Sequence, residues 1–224
     1  MKIGIFLLLL VISVFACDKG TRDHRIESDD LSGSDGSSDS LDSSNYPDSL
    51  KYLVVKANRL RLYYRLPKED SVERGVYERL FFGEFPSDQK TFRVVYCNGM
   101  YQYGLENLLI DESDLHVHFL LDGLRSIDIK RIYNKIIDIS KDAQWDPDDV
   151  LQEYLQELVD KDGSILFSVL AERSDESTKG FFLYLFGGPH PPEVLPIAVV
   201  DLRDKFPKVV SLAKEALKEL QVNE

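Results

Sequence analysis

Beyond residue 50, apolar residues recur at steps of three and four, the spacing that puts them on one face of a helix. Ser126 can cap a helix whose apolar positions are Ile129, Ile132, Tyr133, Ile136 and Ile137. Asp146-Pro147-Asp148-Asp149 is a second start signal, with a capping acid, proline at the first helical position and acids facing the positive end of the dipole. The helix it opens aligns Val150, Leu151, Tyr154, Leu155, Leu158 and Val159, and Gly163 is expected to stop it. A last helix from about Pro207 to Leu220 aligns Val209, Val210, Leu212, Ala213, Ala216, Leu217 and Leu220.

Other stretches leave more open. Val72 to Phe82 reads as a helix with Val76, Leu80 and Phe81 or Tyr77 in register. Ser87 to Tyr96 has a capping serine, Asp88 in the first turn, and Phe92, Val95 and Tyr96 at helical spacing. Ile165–Leu170 and Phe181–Phe186 are short apolar runs that periodicity cannot assign to strand or buried helix, and Tyr52-Leu53-Val54-Val55 is equally ambiguous. The expected fold is a single, mainly α domain, with α+β containing a small sheet as the alternative.

The chain's amino end follows a different pattern. Met1-Lys2 is a short positive region, and Ile3 to Ala16 is an apolar run broken by Gly4 and Ser13. As a helix that run rises about 21 Å, short of the roughly 30 Å hydrocarbon core, and its length fits a secretory signal peptide. Val14-Phe15-Ala16-Cys17 then resembles a bacterial lipobox, with an aliphatic residue, a small residue before the cut and a cysteine after it; Phe15 is a bulky occupant of its position. The resemblance to bacterial lipoproteins implies diacylglycerol on the Cys17 thiol through a thioether. It also implies cleavage between Ala16 and Cys17, and acylation of the new amino group. Each buried methylene contributes about 0.8 kcal/mol, so two or three chains anchor firmly where one does not. The alternative is an ordinary signal peptide that leaves Cys17 as a thiol.

Residues 18–49 are rich in Asp, Ser and Gly and poor in large apolar side chains, so they cannot bury enough surface to offset the entropy of ordering. They read as a flexible tether, about 30 Å in average reach and about 110 Å when stretched. The expected division is signal peptide 1–16, lipidated cysteine and tether 17–49, and a globular domain over 50–224. The net charge of −12 divides between tether and domain, residues 18–50 carrying nine acids against three bases. No basic stripe exists to neutralise phosphates, which argues against nucleic-acid binding. Two cysteines exclude a disulfide scaffold and a four-cysteine zinc site. With Cys17 acylated, Cys97 in its apolar surroundings is expected to be buried.

Candidate chemistry is sparse. His116-Val117-His118 would align two imidazoles on a strand, with Asp111, Glu112 and Asp114 near, but on a helix the rings diverge by about 200°. Gly187-Gly188-Pro189-His190-Pro191-Pro192 ends an aromatic run abruptly; it is either a rigid rim presenting His190 or a stiff connection to the last helix. Trp145, the single tryptophan, either anchors a partner or staples a helix entry to the core. Tyr96, Tyr101 and Tyr103 surround Asn98-Gly99 and suit saccharide or protein recognition as well as a core edge. Neither a nucleophile elbow, a P-loop nor a dinucleotide fingerprint occurs, so no catalytic residue, cofactor or metal is expected.

Phe81-Phe82-Gly83-Glu84-Phe85-Pro86-Ser87-Asp88, then Ile137-Asp138-Ile139-Ser140-Lys141-Asp142-Ala143-Gln144-Trp145-Asp146, then Phe186-Gly187-Gly188-Pro189-His190-Pro191 resembles an uncharacterised group of mainly helical Bacteroidota proteins. The resemblance spans roughly residues 75–220 and implies an all-α fold and an outer-membrane link, with no activity to carry over. Asp18 after the lipidated cysteine retains lipoproteins in the inner membrane of some bacteria but not in all lineages, which leaves the membrane open; the resemblance favours the outer membrane. The leading expectation is a lipid-anchored, non-catalytic binding module whose partner is a protein or an envelope polymer. One version is an immunity-type protein whose acidity suits a basic toxin. The alternative from another class is a metal-dependent hydrolase using His116, His118 or His190.

Overall fold

The computed structural model describes residues 40–66, 71–97, 108–142, 150–187 and 191–222. Among these residues the chain forms nine α-helices and no strand. They are α1 (Asp48–Arg65), α2 (Ser71–Glu84), α3 (Gln89–Tyr96), α4 (Ser113–His118), α5 (Ile129–Ser140), α6 (Val150–Leu170), α7 (Asp175–Phe186), α8 (Ile197–Val200) and α9 (Pro207–Val222). α4 runs on into a short π-helical stretch, Phe119–Gly123. The mainly α expectation holds, and all three ambiguous apolar runs are helical.

α5, α6 and α7 pack on one another and form the centre. α1 packs on α2 and α3, α3 meets α5 and α4 meets α6, while α9 lies along α7 and α8 touches α6. Amphipathic spacing explains the faces. α5 buries Ile132, Tyr133, Ile136, Ile137 and Ile139, α6 buries Leu151, Leu155, Leu158 and Val159, and α9 buries Val209, Val210, Ala213, Ala216, Leu217 and Leu220. α7 is apolar nearly all round, with Phe181, Phe182, Tyr184, Leu185 and Phe186 buried, as a helix surrounded by others must be. It approaches α5 closely at Gly180, where a Cβ would run into the Lys141 carbonyl.

Local details depart from the sequence reading in instructive ways. Asp128, not Ser126, caps α5, its carboxylate accepting from the Lys130 N–H at 2.7 Å. Asp88, not Ser87, caps α3, accepting from the Thr91 N–H at 2.8 Å. A shorter reach to the second or third free N–H selects the acid in each case. On α2, Val76 and Leu80 lie on the exposed side, and Phe81 and Glu78 face inward.

Gly163 does not end α6. The helix breaks at Asp162 (φ −128°, ψ 22°) and resumes, so that Ile165–Leu170 form its second half. The Tyr133 hydroxyl donates to Asp162 Oδ2 at 3.3 Å and pins the break to α5. Next to it Gly163 is buried, with Leu202 so near that a Cβ there would lie 3.1 Å from its methyl. The packed body also begins before Leu50. Leu41 is held by paired hydrogen bonds with the Asn58 amide, both at 2.9 Å, and it packs on the core with Tyr46. Cys97 is buried at the C-cap of α3.

Candidate functional site

Of the residues singled out in the sequence, Ala16, Cys17, Tyr101, Tyr103, Trp145 and His190 lie outside the described residues. His116 and His118 lie on α4, so the strand that would have aligned them does not form. His116 is fully buried, whereas the His118 side chain is 59 % exposed and stands 3.9 Å from Asp122. Helical geometry sends the two rings apart, and the pair is not a joint ligand set. Among the described residues no group of three or more His, Cys, Asp or Glu side chains is placed to hold a metal ion.

His116 belongs instead to an interior cluster of rings. Tyr64, Phe81 and Tyr96 surround it, with centroids 4.9, 5.4 and 5.8 Å away. Its Nδ1 lies 3.0 Å from the Tyr96 hydroxyl. Burial, and then the charge of Glu112, push the Tyr96 phenol well above its ordinary pKa, so it stays protonated and can donate to that nitrogen. Glu112 itself meets Arg61 of α1 through two parallel contacts of 2.7 and 3.1 Å. Two polar contacts thus tie neighbouring elements, Tyr96–His116 joining α3 to α4 among the rings and Arg61–Glu112 joining α1 to the start of α4.

The surface feature best suited to a ligand lies where the sequence turns unusual, after Phe186. The last carbonyls of a helix have no partners within it. At the end of α7 a side chain from α6 supplies them. The Gln152 amide reaches the carbonyls of Tyr184, Leu185 and Gly187 at 3.0, 3.2 and 2.7 Å. On the far side of the segment, the Gln221 amide of α9 donates to Pro192 O at 3.2 Å and to Glu193 O at 2.9 Å. Two glutamines therefore hold the chain between α7 and α8 at Gly187 and again at Pro192 and Glu193.

Gly187, Pro192 and Pro196 of this connection line a cleft of about 340 Å³ together with α6, α7 and α8. Its walls are apolar, including Val159, Leu185, Phe186, Pro192 and Val199, and Gln156 and Asp160 of α6 add an amide and a carboxylate one turn apart. Val194 and Ile197 in the adjoining chain are 75 % and 78 % exposed. Apolar walls with few polar groups form the usual surroundings of a bound small molecule or inserted side chain. Sequence reasoning found the Gly187–Pro192 segment but missed Gln152, Gln156, Asp160 and Gln221. Polar residues in amphipathic helices read as solvent-facing, and no spacing rule singles them out.

A second local environment surrounds Phe82. Lys135 of α5 donates to the Phe85 carbonyl at 2.8 Å and sits 4.8 Å from the Phe82 ring centre, with Arg131 at 5.3 Å from the same ring. Lys56 of α1 donates to the neighbouring Glu84 carbonyl at 2.5 Å. The two lysines complete the carbonyl end of α2, where cations belong. Burial, and then the repulsion of Lys56, lower the Lys135 pKa to about 8.

No family model matches the chain, and neither a curated protein nor a solved structure matches it.

Proposed function

We propose that this chain is a lipid-anchored protein of the bacterial envelope whose helical body is a non-catalytic binding module. The anchor reading rests on the signal-like run ending in Val14-Phe15-Ala16-Cys17 and on the polar tether that follows. Among the described residues no helix is long and apolar enough to cross a membrane. The membrane contact in this reading is the acyl group on Cys17. Replacing Cys17 by serine tests it. The variant should leave the membrane pellet for the soluble fraction and lose metabolic labelling with palmitate; a variant still pelleted and processed overturns the anchor.

The observation that supports a binding role is the apolar cleft whose rim residues Gly187 and Pro192 are held by glutamines of α6 and α9. The exposed Val194 and Ile197 follow that rim in the chain and add apolar surface beside it. Asp160 at that cleft, in a chain of net charge −12, favours a partner protein that offers an apolar side chain next to a basic one. A photo-crosslinker at position 197 should capture one defined polypeptide in intact cells. The same probe at Lys51 on α1 should not, and Gln156→Trp, which fills the cleft, should abolish the product. Equal capture from both positions, or capture indifferent to Gln156→Trp, overturns the reading.

A further inference from the structure

The end of α6, the first turn of α7 and the start of α9 enclose a second cavity, of about 270 Å³. Its apolar surface comes from Leu170, Phe206, Val209 and Leu212. The charged residues that line it reverse the character of the protein: Arg173, Lys205 and Lys208 against the single acid Asp175, in a chain with 39 acids and 27 bases. Two of these cations are already matched. Arg173 pairs with Asp138, and Lys208 Nζ lies 2.5 Å from Asp175 Oδ1.

Lys205 is different. Its ammonium donates to the Ser164 hydroxyl at 2.5 Å and stands 5.1 Å from the centre of the Phe206 ring, both uncharged partners. Among the described residues no carboxylate pairs with this cation, and it lines the apolar cavity together with the Phe206 ring. The first turn of α9, which also lines the cavity, carries no acid to offset that charge.

We propose that this cavity binds a small amphipathic anion, a carboxylate on a short acyl chain, with the carboxylate on Lys205 and the chain against Phe206, Leu170 and Leu212. The size sets the limit. Cavities for drug-sized ligands start at roughly 300 Å³, so this one accepts a short chain rather than a long lipid tail. The charge sets the polarity, since a neutral chain of the same length would leave the ammonium with its hydroxyl partner and gain nothing from it.

Octanoate and octanol, titrated calorimetrically into the full-length chain carrying Cys17→Ser, separate the two contributions. Octanoate should saturate one site, and octanol should bind about tenfold more weakly, as expected for the loss of one charge-assisted hydrogen bond. Lys205→Gln, at an exposed position that leaves the fold intact by circular dichroism, should weaken octanoate about tenfold and leave octanol unchanged. Leu212→Trp should remove both by filling the cavity. No saturation by octanoate up to about 10 mM, well into the weakest range of specific binding, overturns the proposal. So does octanoate affinity that is unchanged by Lys205→Gln or equalled by octanol.

Discussion

Arg74 and Glu78 stand one turn apart on α2, with Nε 2.6 Å from Oε1, and together they hold a stretch of chain that belongs to neither residue's own helix. Glu78, 2 % exposed, accepts from the Arg125 N–H at 2.9 Å and from the Ser126 N–H at 2.6 Å through its second oxygen. Arg74 donates to the Gly123 carbonyl at 3.0 Å. The pair thus clamps the turn between the π-helical stretch and α5. Removing one partner of a buried ion pair leaves the other unmatched, at a cost of about 3–5 kcal/mol. Glu78→Gln keeps one oxygen for the Arg125 and Ser126 N–H groups and loses the acceptor of Arg74, so its expected cost is about 2 kcal/mol, read as a shift in urea midpoint at constant slope.

The same carboxylate makes stability depend on pH. Burial pushes its pKa up, but the hydrogen bonds from Arg74, Ser126 and Arg125 outweigh burial and hold it below the ordinary value. A carboxyl lowered on folding stabilises the protein above its unfolded pKa, about 4.3 for glutamate, and loses that contribution as pH falls through the folded value. Urea midpoints of wild type and Glu78→Gln should therefore converge as pH drops below about 4. A gap that stays constant down to full acid unfolding would contradict this.

Lys135 predicts an opposite window. Its pKa of about 8 lies below that of an unfolded lysine, near 10.4, so its burial cost is present at neutral pH and is relieved as pH rises through the folded value. After reductive ¹³C-methylation, one lysine resonance should titrate near a pH of about 8. Lys135→Met should remove that resonance and leave the others in place.

Gly180 has no tolerance for a side chain. Gly180→Ala places a methyl against the Lys141 carbonyl, which is backbone and cannot swing aside. The added carbon should cost about 3 kcal/mol, at the upper end of overpacking penalties, and separate α7 from α5. Thermal unfolding measures it. Ala gains about 1 kcal/mol over Gly in an unobstructed helix interior, so an unchanged or raised Tm would mean that the helices are not in contact here.

In the aromatic interior, Tyr96→Phe removes the hydroxyl 3.0 Å from His116 Nδ1 while keeping the ring. The buried imidazole loses that partner, and the expected cost is about 1–2 kcal/mol in chemical denaturation. Phe92→Leu, in the same cluster but without polar contacts, should lose stability by packing alone and show no change in the His116 ring signals attributable to hydrogen bonding.

Helices with long periodic stretches were legible in the sequence because one face is apolar throughout, as in α5 and α9. The run at 181–186 was ambiguous because nearly all of it is buried and no polar face sets the period; in 165–170 the outward side carries the apolar Ile165 beside Ser168, which masks the period as well. For α7 a deciding signal was nonetheless present upstream, where Ser174 accepts from the Ser177 N–H and Asp175 and Glu176 occupy the first turn. For α6 the signal misled, since Gly163 at the end of a periodic stretch reads as a stop. Continuation past Asp162 depends on Tyr133 and Leu202, distant in sequence. The cleft was legible only as an odd segment, Gly187–Pro192. The glutamines beside it act through carbonyls distant in sequence, at the end of α7 and at Pro192 and Glu193, a relation that exists only after folding.

The break at Asp162 divides the longest helix into two arms, and each arm serves a different surface. Gln156 and Asp160 precede it and line the cleft, whose Gly187 rim Gln152 holds, while Leu170 follows it and lines the second cavity, whose Lys205 meets Ser164. Two reporters on one helix can therefore be read separately: a fluorophore at the exposed Glu153 follows the cleft, and another at Glu172, just past the helix end, follows the cavity. The seam between the arms makes a single element into a two-channel instrument.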